Sequence, residues 1–310
     1  MLKVTFPDGA QKEYDKGITP LEIAQSISHS LAKRLLSASF NNKQIESSTK
    51  ILENGNIEFY FWDDIKGKHA FWHSSAHLFA QIILELYPRS KLTIGPPIDN
   101  GFYYDVDLGD KIISENDFEK IEKMMIDEAR KDHKFILRES SKKDALDFYK
   151  KNGNQYKTEL INDLNDEKIT FCDHANFSDL CKGGHIPSTG HIKAVKLLNV
   201  AGAYWRGDEK NKQLTRVYGI SFPKQKLLSE YLELIQEAKK RDHRVLGKKL
   251  KLFTFSNQVG LGLPLWLPKG AELRERLENF LKKAQKKAGY EMVVSPHIGN
   301  KKLYETSGHF

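Results

Sequence analysis

Two short stretches concentrate the side chains able to do chemistry, His73-Ser-Ser-Ala-His77 and Cys181-Lys-Gly-Gly-His185. In each, two donor residues stand four apart. On a helix that spacing puts them one above the other on the same face. Three imidazoles and one thiolate converging on a pocket would either hold a borderline-soft metal or handle protons near neutral pH. A lone HxxxH arises easily by chance, and the plainer alternative is two core-edge histidines and a buried cysteine that carry no chemistry. The second half-site, with the same spacing further along the chain, makes a site the better reading.

The elements that must place these residues follow from periodicity. Ala76, Phe79, Ala80, Ile83 and Tyr87 recur at helical spacing, so His73–Pro88 reads as a helix with a buried stripe beside the histidines. The Cys181 stretch holds two glycines, poor helix formers, and reads as a loop. At the start, Leu2–Phe6 alternates as a strand, Pro7-Asp8-Gly9 turns, and Gln11–Tyr14 returns. Thr19 is placed to cap a helix with Pro20 at its first position and Leu21, Ala24, Ile27 and Leu31 facing a core. Short strands near Ser37–Phe40 and Asn56–Phe61 complete a small α+β module, and charged Asp63–His69 reads as a linker.

Downstream, Phe118, Ile121 and Met125 form the apolar side of a helix, with Glu128 and Arg130 nearer solvent. Lys142–Lys168 reads as polar chain with a loop at Asn152-Gly-Asn154. Lys224–His243 reads as a helix whose end carries Lys240, Arg241 and Arg244, cations suited to the helix dipole or to phosphates. Lys269–Gly289 is a further helix and Tyr290–Val294 a strand.

Of 310 residues, 39% are hydrophobic and 29% charged, the balance of a globular protein long enough for more than one domain. A net charge of +8 favours a polyanionic partner. Cys172 and Cys181, the two cysteines, form no CxxC motif and no disulfide framework, which suits a reducing compartment. Nowhere do the roughly 20 consecutive apolar residues of a membrane span occur, and Met1–Gly9 has no leader pattern. A cytoplasmic protein without a membrane partner is expected.

Taken in order, the motifs give a resemblance. The first 62 residues resemble the TGS domain, a ubiquitin-like β-grasp fold. With it, His73–His77, Ile98-Asp-Asn-Gly-Phe-Tyr-Tyr-Asp105, Cys181–His185, Gly202-Ala-Tyr-Trp-Arg-Gly-Asp208 and Lys240-Arg-Asp-His-Arg244 resemble the N-terminal part of a bacterial threonyl-tRNA synthetase along the whole chain. The resemblance implies a multidomain α+β protein: a TGS domain at 1–62, a tRNA editing domain at 63–223, a linker helix at 224–243, and the beginning of a class II catalytic domain at 244–310. Leu263–Gly270 would open that last domain. Val294-Ser-Pro296 through Phe310 would be its motif 1 region, which builds a homodimer interface in the full-length enzyme. The sites for ATP, Mg2+ and the threonine-recognising zinc would lie beyond Phe310, so threonyl-adenylate formation is not expected from these residues alone.

The same resemblance implies hydrolysis of serine wrongly esterified to threonine tRNA. Serine lacks one methyl of threonine, worth only about 1–3 kcal/mol of discrimination, so a second site must finish the selection. By resemblance His73, His77, Cys181 and His185 line that site, Lys157 lies near the attacked ester, and Tyr104 and Asp179 contact the seryl group, Asp179 pairing with its ammonium. A water held by His73, with Lys157 or His185 nearby, would attack the carbonyl. Editing would need no cofactor and no metal, the four pocket residues being the ligands if zinc were present. The partners implied are threonine tRNA and its serine and threonine esters. Tyr204, Trp205 and Arg206 either pack a strand end or meet the unpaired RNA terminus. Two rival functions are a stand-alone zinc-dependent editing hydrolase of the alanyl type and a non-catalytic RNA-binding or regulatory module.

Overall fold

Alternation and tight turns at the start of the chain build its first sheet. In the computed structural model, which describes residues 1–260 and 262–309, β1 (Leu2–Thr5) and β2 (Gln11–Tyr14) form the expected hairpin. Next come α1 (Pro20–Ile27), α2 (His29–Arg34), β3 (Ser37–Phe40), β4 (Lys43–Ile45) and β5 (Gly55–Tyr60). The sheet order is β2-β1-β5-β3-β4, with β1 and β5 parallel. Leu2, Val4, Ile23, Phe40, Ile51 and Ile57 fill the core beneath it. Thr19 caps α1 in a reciprocal box with Glu22. The single expected helix is two: Ser28 ends α1 and its hydroxyl accepts from the Ser30 N–H to start α2. That break leaves Ile27 exposed, and Ile23 is the residue buried instead.

The chain then enters α3 (Ile65–Leu86), so Asp63–His69 is not a linker. Asp64 makes the turn: its Oδ2 accepts from the Phe61 N–H at 2.7 Å and its carbonyl from the Lys68 N–H at 3.0 Å. Gly67 fits there because a Cβ would lie 2.0 Å from the Phe61 carbonyl oxygen. From Ala70 to Ile83 only His73 escapes full burial.

After β6 (Lys91–Leu92), β7 (Pro97–Ile98), β8 (Gly101–Asp107) and α4 (Phe118–Ala129) come β9 (Ile136–Ser141), α5 (Lys142–Lys151) and α6 (Gln155–Asp163). The strands β10 (Lys168–His174), β11 (Phe177–Leu180), β12 (Ala194–Tyr204) and β13 (Gln213–Phe222) follow, then α7 (Gln225–Lys240). One sheet runs β12-β13-β8-β6, with β7 also on β8; a smaller one runs β11-β10-β9. The Trp72 indole N–H donates to the Ser221 carbonyl at 3.1 Å, and the Ser75 and Ser221 hydroxyls meet at 2.6 Å, which ties α3 to β13.

Lys142–Lys168 is largely helical, because Ser141 and Asn154 cap α5 and α6 and Ala145, Tyr149 and Ile161 pack on Ile169 and Phe171. Glu128 is buried rather than near solvent; Gln81 and Lys131 donate to it at 3.1 and 2.5 Å, and His133 lies at 3.2 Å.

The chain divides into two units, Met1–Tyr231 and Leu232–Phe310, with the boundary inside α7. The second holds α8 (His243–Lys249), β14 (Phe253–Thr254), β15 (Leu265–Trp266), α9 (Pro268–Lys287) and α10 (Lys301–Thr306). Tyr290–Val294 forms no strand: no described segment pairs with it, and Val294 is 98% exposed. Phe310, the last residue of the expected motif 1 region, lies outside the described residues. No described helix is long and apolar enough to cross a membrane.

Helix propensity alone favours Ala over Gly by about 1 kcal/mol. At Gly67 the crowding against Phe61 should reverse the sign. Gly67→Ala is expected to lower the unfolding free energy by about 1–3 kcal/mol, read by urea denaturation; an increase would show that the junction yields freely.

Candidate functional site

One buried face of α3 presents His73 and His77, and the chain leaving β11 brings Cys181 and His185 to meet them. The Cys181 N–H donates to the Thr170 carbonyl at 3.0 Å, an extension of the β10–β11 ladder. Beyond it, Gly183 and Gly184 adopt φ of 97° and 90°, a left-handed path open to glycine that turns His185 back toward α3. Ser74 fastens the end of this loop: its hydroxyl donates to the Ala70 carbonyl and accepts from the Ile186 N–H at 3.0 Å. Cys181 Sγ then lies 3.4 Å from His73 Nε2 and 3.2 Å from His185 Nε2. The three imidazole centroids are 4.7–5.1 Å apart.

Beside this cluster Asp179, on β11, gathers a second one. Lys157 Nζ lies 2.6 Å from its Oδ1, where Tyr149 Oη also donates at 3.1 Å; Tyr104 Oη donates to Oδ2 at 2.9 Å. His77 Nδ1 is 3.9 Å from Oδ2 and has no hydrogen-bond partner. Lys157 and Asp179 are each 3% exposed at the side chain, so this is a buried ion pair. Gly95 lets β8 come close, since a Cβ there would strike the Tyr104 ring at 2.1 Å. His73, His77, Tyr104, Lys157, Asp179 and Cys181 share the wall of one cavity of about 550 Å³.

Burial pushes the Cys181 thiol up, but the charges of His73 and His77 and hydrogen bonds with His185 and His73 outweigh it and hold the thiol well below its ordinary range. His185 moves the other way: burial disfavours its cation, yet hydrogen bonds with Cys172, Cys181 and Glu46 raise it well above the usual imidazole value. Burial lowers the pKa of His77. Burial, then the Asp179 charge, raises both Tyr104 and Tyr149, which remain donors. Burial pushes the Cys172 thiol up to about 11.

Several residues of the site carry no sequence signal of their own. Glu46, just past β4, accepts at Oε1 from the Gly184 N–H at 2.8 Å and lies 3.0 Å from His185 Nδ1. Phe135 stacks on His185 with ring centroids 5.5 Å apart. Tyr149 was readable only as part of the α5 apolar stripe. Asn154 had a usable signal, a helix cap three residues before Lys157; its Oδ1 accepts from the Lys157 N–H at 3.1 Å.

Of the residues considered for RNA, Tyr204, Trp205 and Arg206 belong to the first unit and do not line this cavity. Trp205 is buried on Tyr156 and donates to Glu159, so its face is not free to stack on a base. Arg206 pairs with Glu159 at 2.8 Å and with Asp163, while Tyr204 is exposed. Lys240 and Arg241 pair with Glu237, and Arg244 with Asp242, all near the α7–α8 turn.

Removing one member of a buried ion pair strands the other charge. Lys157→Met and Asp179→Asn are each expected to cost about 3–5 kcal/mol in urea unfolding, and the double substitution less than their sum. Additive losses would mean that the two do not interact.

Comparison with known proteins agrees with this arrangement. Residues 2–60 match the TGS domain model, and residues 169–218 match the model described as the threonyl and alanyl tRNA synthetase second additional domain. Over all 310 residues the chain is 62% identical to the threonine–tRNA ligase of Flavobacterium psychrophilum, 63% to that of Flavobacterium johnsoniae and 57% to that of Cytophaga hutchinsonii. It covers 48% of each of these, so it spans about half the length of the curated relatives it matches. The chain is thus homologous from end to end to threonine–tRNA ligases, and carries both a TGS domain and the second additional domain of the threonyl and alanyl enzymes.

Proposed function

We propose that the cavity beside His73 and Asp179 hydrolyses the ester joining serine to the terminal ribose of threonine tRNA. The observation that carries this is the sharing of one cavity by His73, His77 and Cys181 and the buried Lys157–Asp179 pair, with His185 buried behind Cys181. His73, the least buried of the three histidines, holds a water and takes its proton as the oxygen attacks the ester carbonyl. The carbonyl–ribose bond then breaks; the ribose oxygen leaves with a proton, and serine departs as a free carboxylate. The seryl ammonium and Lys157 compete for Asp179, so substrate binding turns the lysine cation toward the developing oxyanion. Tyr104, anchored on Asp179, bounds the seryl side chain.

In the longer protein, this cavity would correct a class II threonine–tRNA ligase that uses ATP, Mg2+ and zinc at sites outside these residues and acts in the cytoplasm as a homodimer. The domain limits 1–62, 63–223, 224–243 and 244–310 belong to the same proposal. The sheet of β1–β5 supports the first and α7 the third. Of the residues considered for tRNA, Tyr204, Arg206, Lys240, Arg241 and Arg244 are accessible, and Arg206 is paired with the acidic Glu159 and Asp163.

One observation favours a second reading. The donor atoms of His73, His77, Cys181 and His185 all lie within 4.8 Å of one another, and the set is that of a tetrahedral zinc site. Those four residues would hold the ion, which would lower the pKa of a bound water. The proton-transfer reading needs no metal. Elemental analysis of purified protein is expected to find well under one zinc per chain, and stoichiometric zinc would favour the metal-dependent alanyl type.

With serine-charged and threonine-charged tRNA side by side, selective release of serine is expected. Combined His73→Ala and His77→Ala should slow that release by about 100-fold or more and leave tRNA affinity within a factor of about two, since neither imidazole is placed to contact phosphates. Equal release of both amino acids, or none, would refute the assignment.

A further inference from the structure

Glu46 stands out among buried acids because it belongs to the β-grasp sheet region yet ends on the Cys181–His185 loop behind the hydrolytic pocket. It is 5% exposed and closes a gap of 139 residues. Its carboxylate makes a three-point grip on the Cys181–His185 loop. Oε1 accepts from the Gly184 N–H at 2.8 Å, Oε2 from the His185 N–H at 3.2 Å, and Oε1 lies 3.0 Å from His185 Nδ1. Two successive amides aimed at one anion form a backbone nest, and the positive φ of Gly183 and Gly184 creates it. The fit is close: a Cβ on Gly183 would lie 3.1 Å from Glu46 Oε1.

The far side of the same imidazole faces the chemistry. With Nδ1 held by Glu46, Nε2 points at Cys181 Sγ, 3.2 Å away. Phe135 stacks on the ring at an interplanar angle of 12° and blocks its rotation. A carboxylate that binds one ring nitrogen fixes both the orientation of the ring and the proton on that nitrogen. We propose that Glu46 is a positioning residue of the ester-hydrolysing pocket: the TGS domain reaches into the editing site, keeps a proton on His185 Nδ1, and sets the loop that carries Cys181. This rests on the hydrolytic reading above and extends it by making the first domain a working part of the second domain's site.

The test uses the whole 310-residue chain with Glu46→Ala, Glu46→Gln and Glu46→Asp. Glu46→Ala is expected to lower kcat for serine release by about 10–100-fold, the range typical of such supporting carboxylates, and to leave KM for the charged tRNA within about twofold. Glu46→Gln keeps the size and one acceptor but loses the charge, and should fall between. Glu46→Asp should restore part of kcat. Nitrogen-15 NMR supplies a readout independent of turnover. The parent should show His185 with Nδ1 protonated and the Gly184 and His185 amides protected from exchange; Glu46→Ala should lose both while the melting of the β-grasp core persists. Unchanged kcat, or a loss of kcat with the His185 signals unaltered, overturns the proposal. A parent chain that releases no serine would refute the hydrolytic reading instead, and the His185 signals would still decide whether Glu46 sets this imidazole.

Discussion

A carboxylate removed from water must find donors, and this fold is organised around two that do so across long stretches of chain. Asp179 collects Lys157 from α6, Tyr149 from α5 and Tyr104 from β8, while Glu46 collects the backbone and ring of His185. Neither set of donors is local. Each partner must arrive from its own element, so the elements are locked in register by the need to leave no buried charge alone. The cavity opens beside the Asp179 group, and the loop that Glu46 holds brings Cys181 to its wall.

That arrangement also explains why so polar an interior is tolerated beside an apolar helix. α3 is buried on nearly every side, and several of its polar residues have named partners: Ser74 on the loop after Cys181, Ser75 on β13, Gln81 on Glu128. Two buried atoms on this helix have no hydrogen bond, Gln81 Oε1 and His77 Nδ1, the latter 3.9 Å from Asp179. Burial lowers the pKa of His77, whereas hydrogen bonds with Cys172, Cys181 and Glu46 raise that of His185 despite its burial. Two imidazoles 5.1 Å apart are thus shifted in opposite directions by their different hydrogen-bond partners.

What could be read from the chain divides along physical lines. Periodicity found α3, α7 and α9, because those helices present long one-sided or all-round apolar patterns. Matching spacing found the two half-sites, whose geometry depends on nearest turns. Periodicity missed α5 and α6, since lysine-rich helices look like loops until their serine and asparagine caps are weighed. It also misplaced Glu128 at the surface, because local pattern is blind to donors supplied by Gln81 and His133. Glu46 was invisible for the same reason in stronger form: nothing near it in sequence hints at a histidine 139 residues away. The strand expected at Tyr290–Val294 failed oppositely, a β-prone run with no neighbouring strand to complete it.

The two units differ in how far their apolar side chains are covered. Every group named in the pocket, from Glu46 to His185, lies within Met1–Tyr231, where buried polar atoms are mostly paired and the cores are filled. In the second unit, Leu273, Leu277, Phe280 and Leu281 recur along one side of α9 at helical spacing, yet each is about half exposed or more. Such a stripe is the pattern of a helix that packs against something, and the curated relatives are about twice as long as this chain. Chemistry that needs α9 therefore needs surfaces these residues do not supply to one another. The ester hydrolysis proposed for the first unit makes no such demand, because its donors, its two anchoring carboxylates and its cavity walls are all contributed by residues that precede α7.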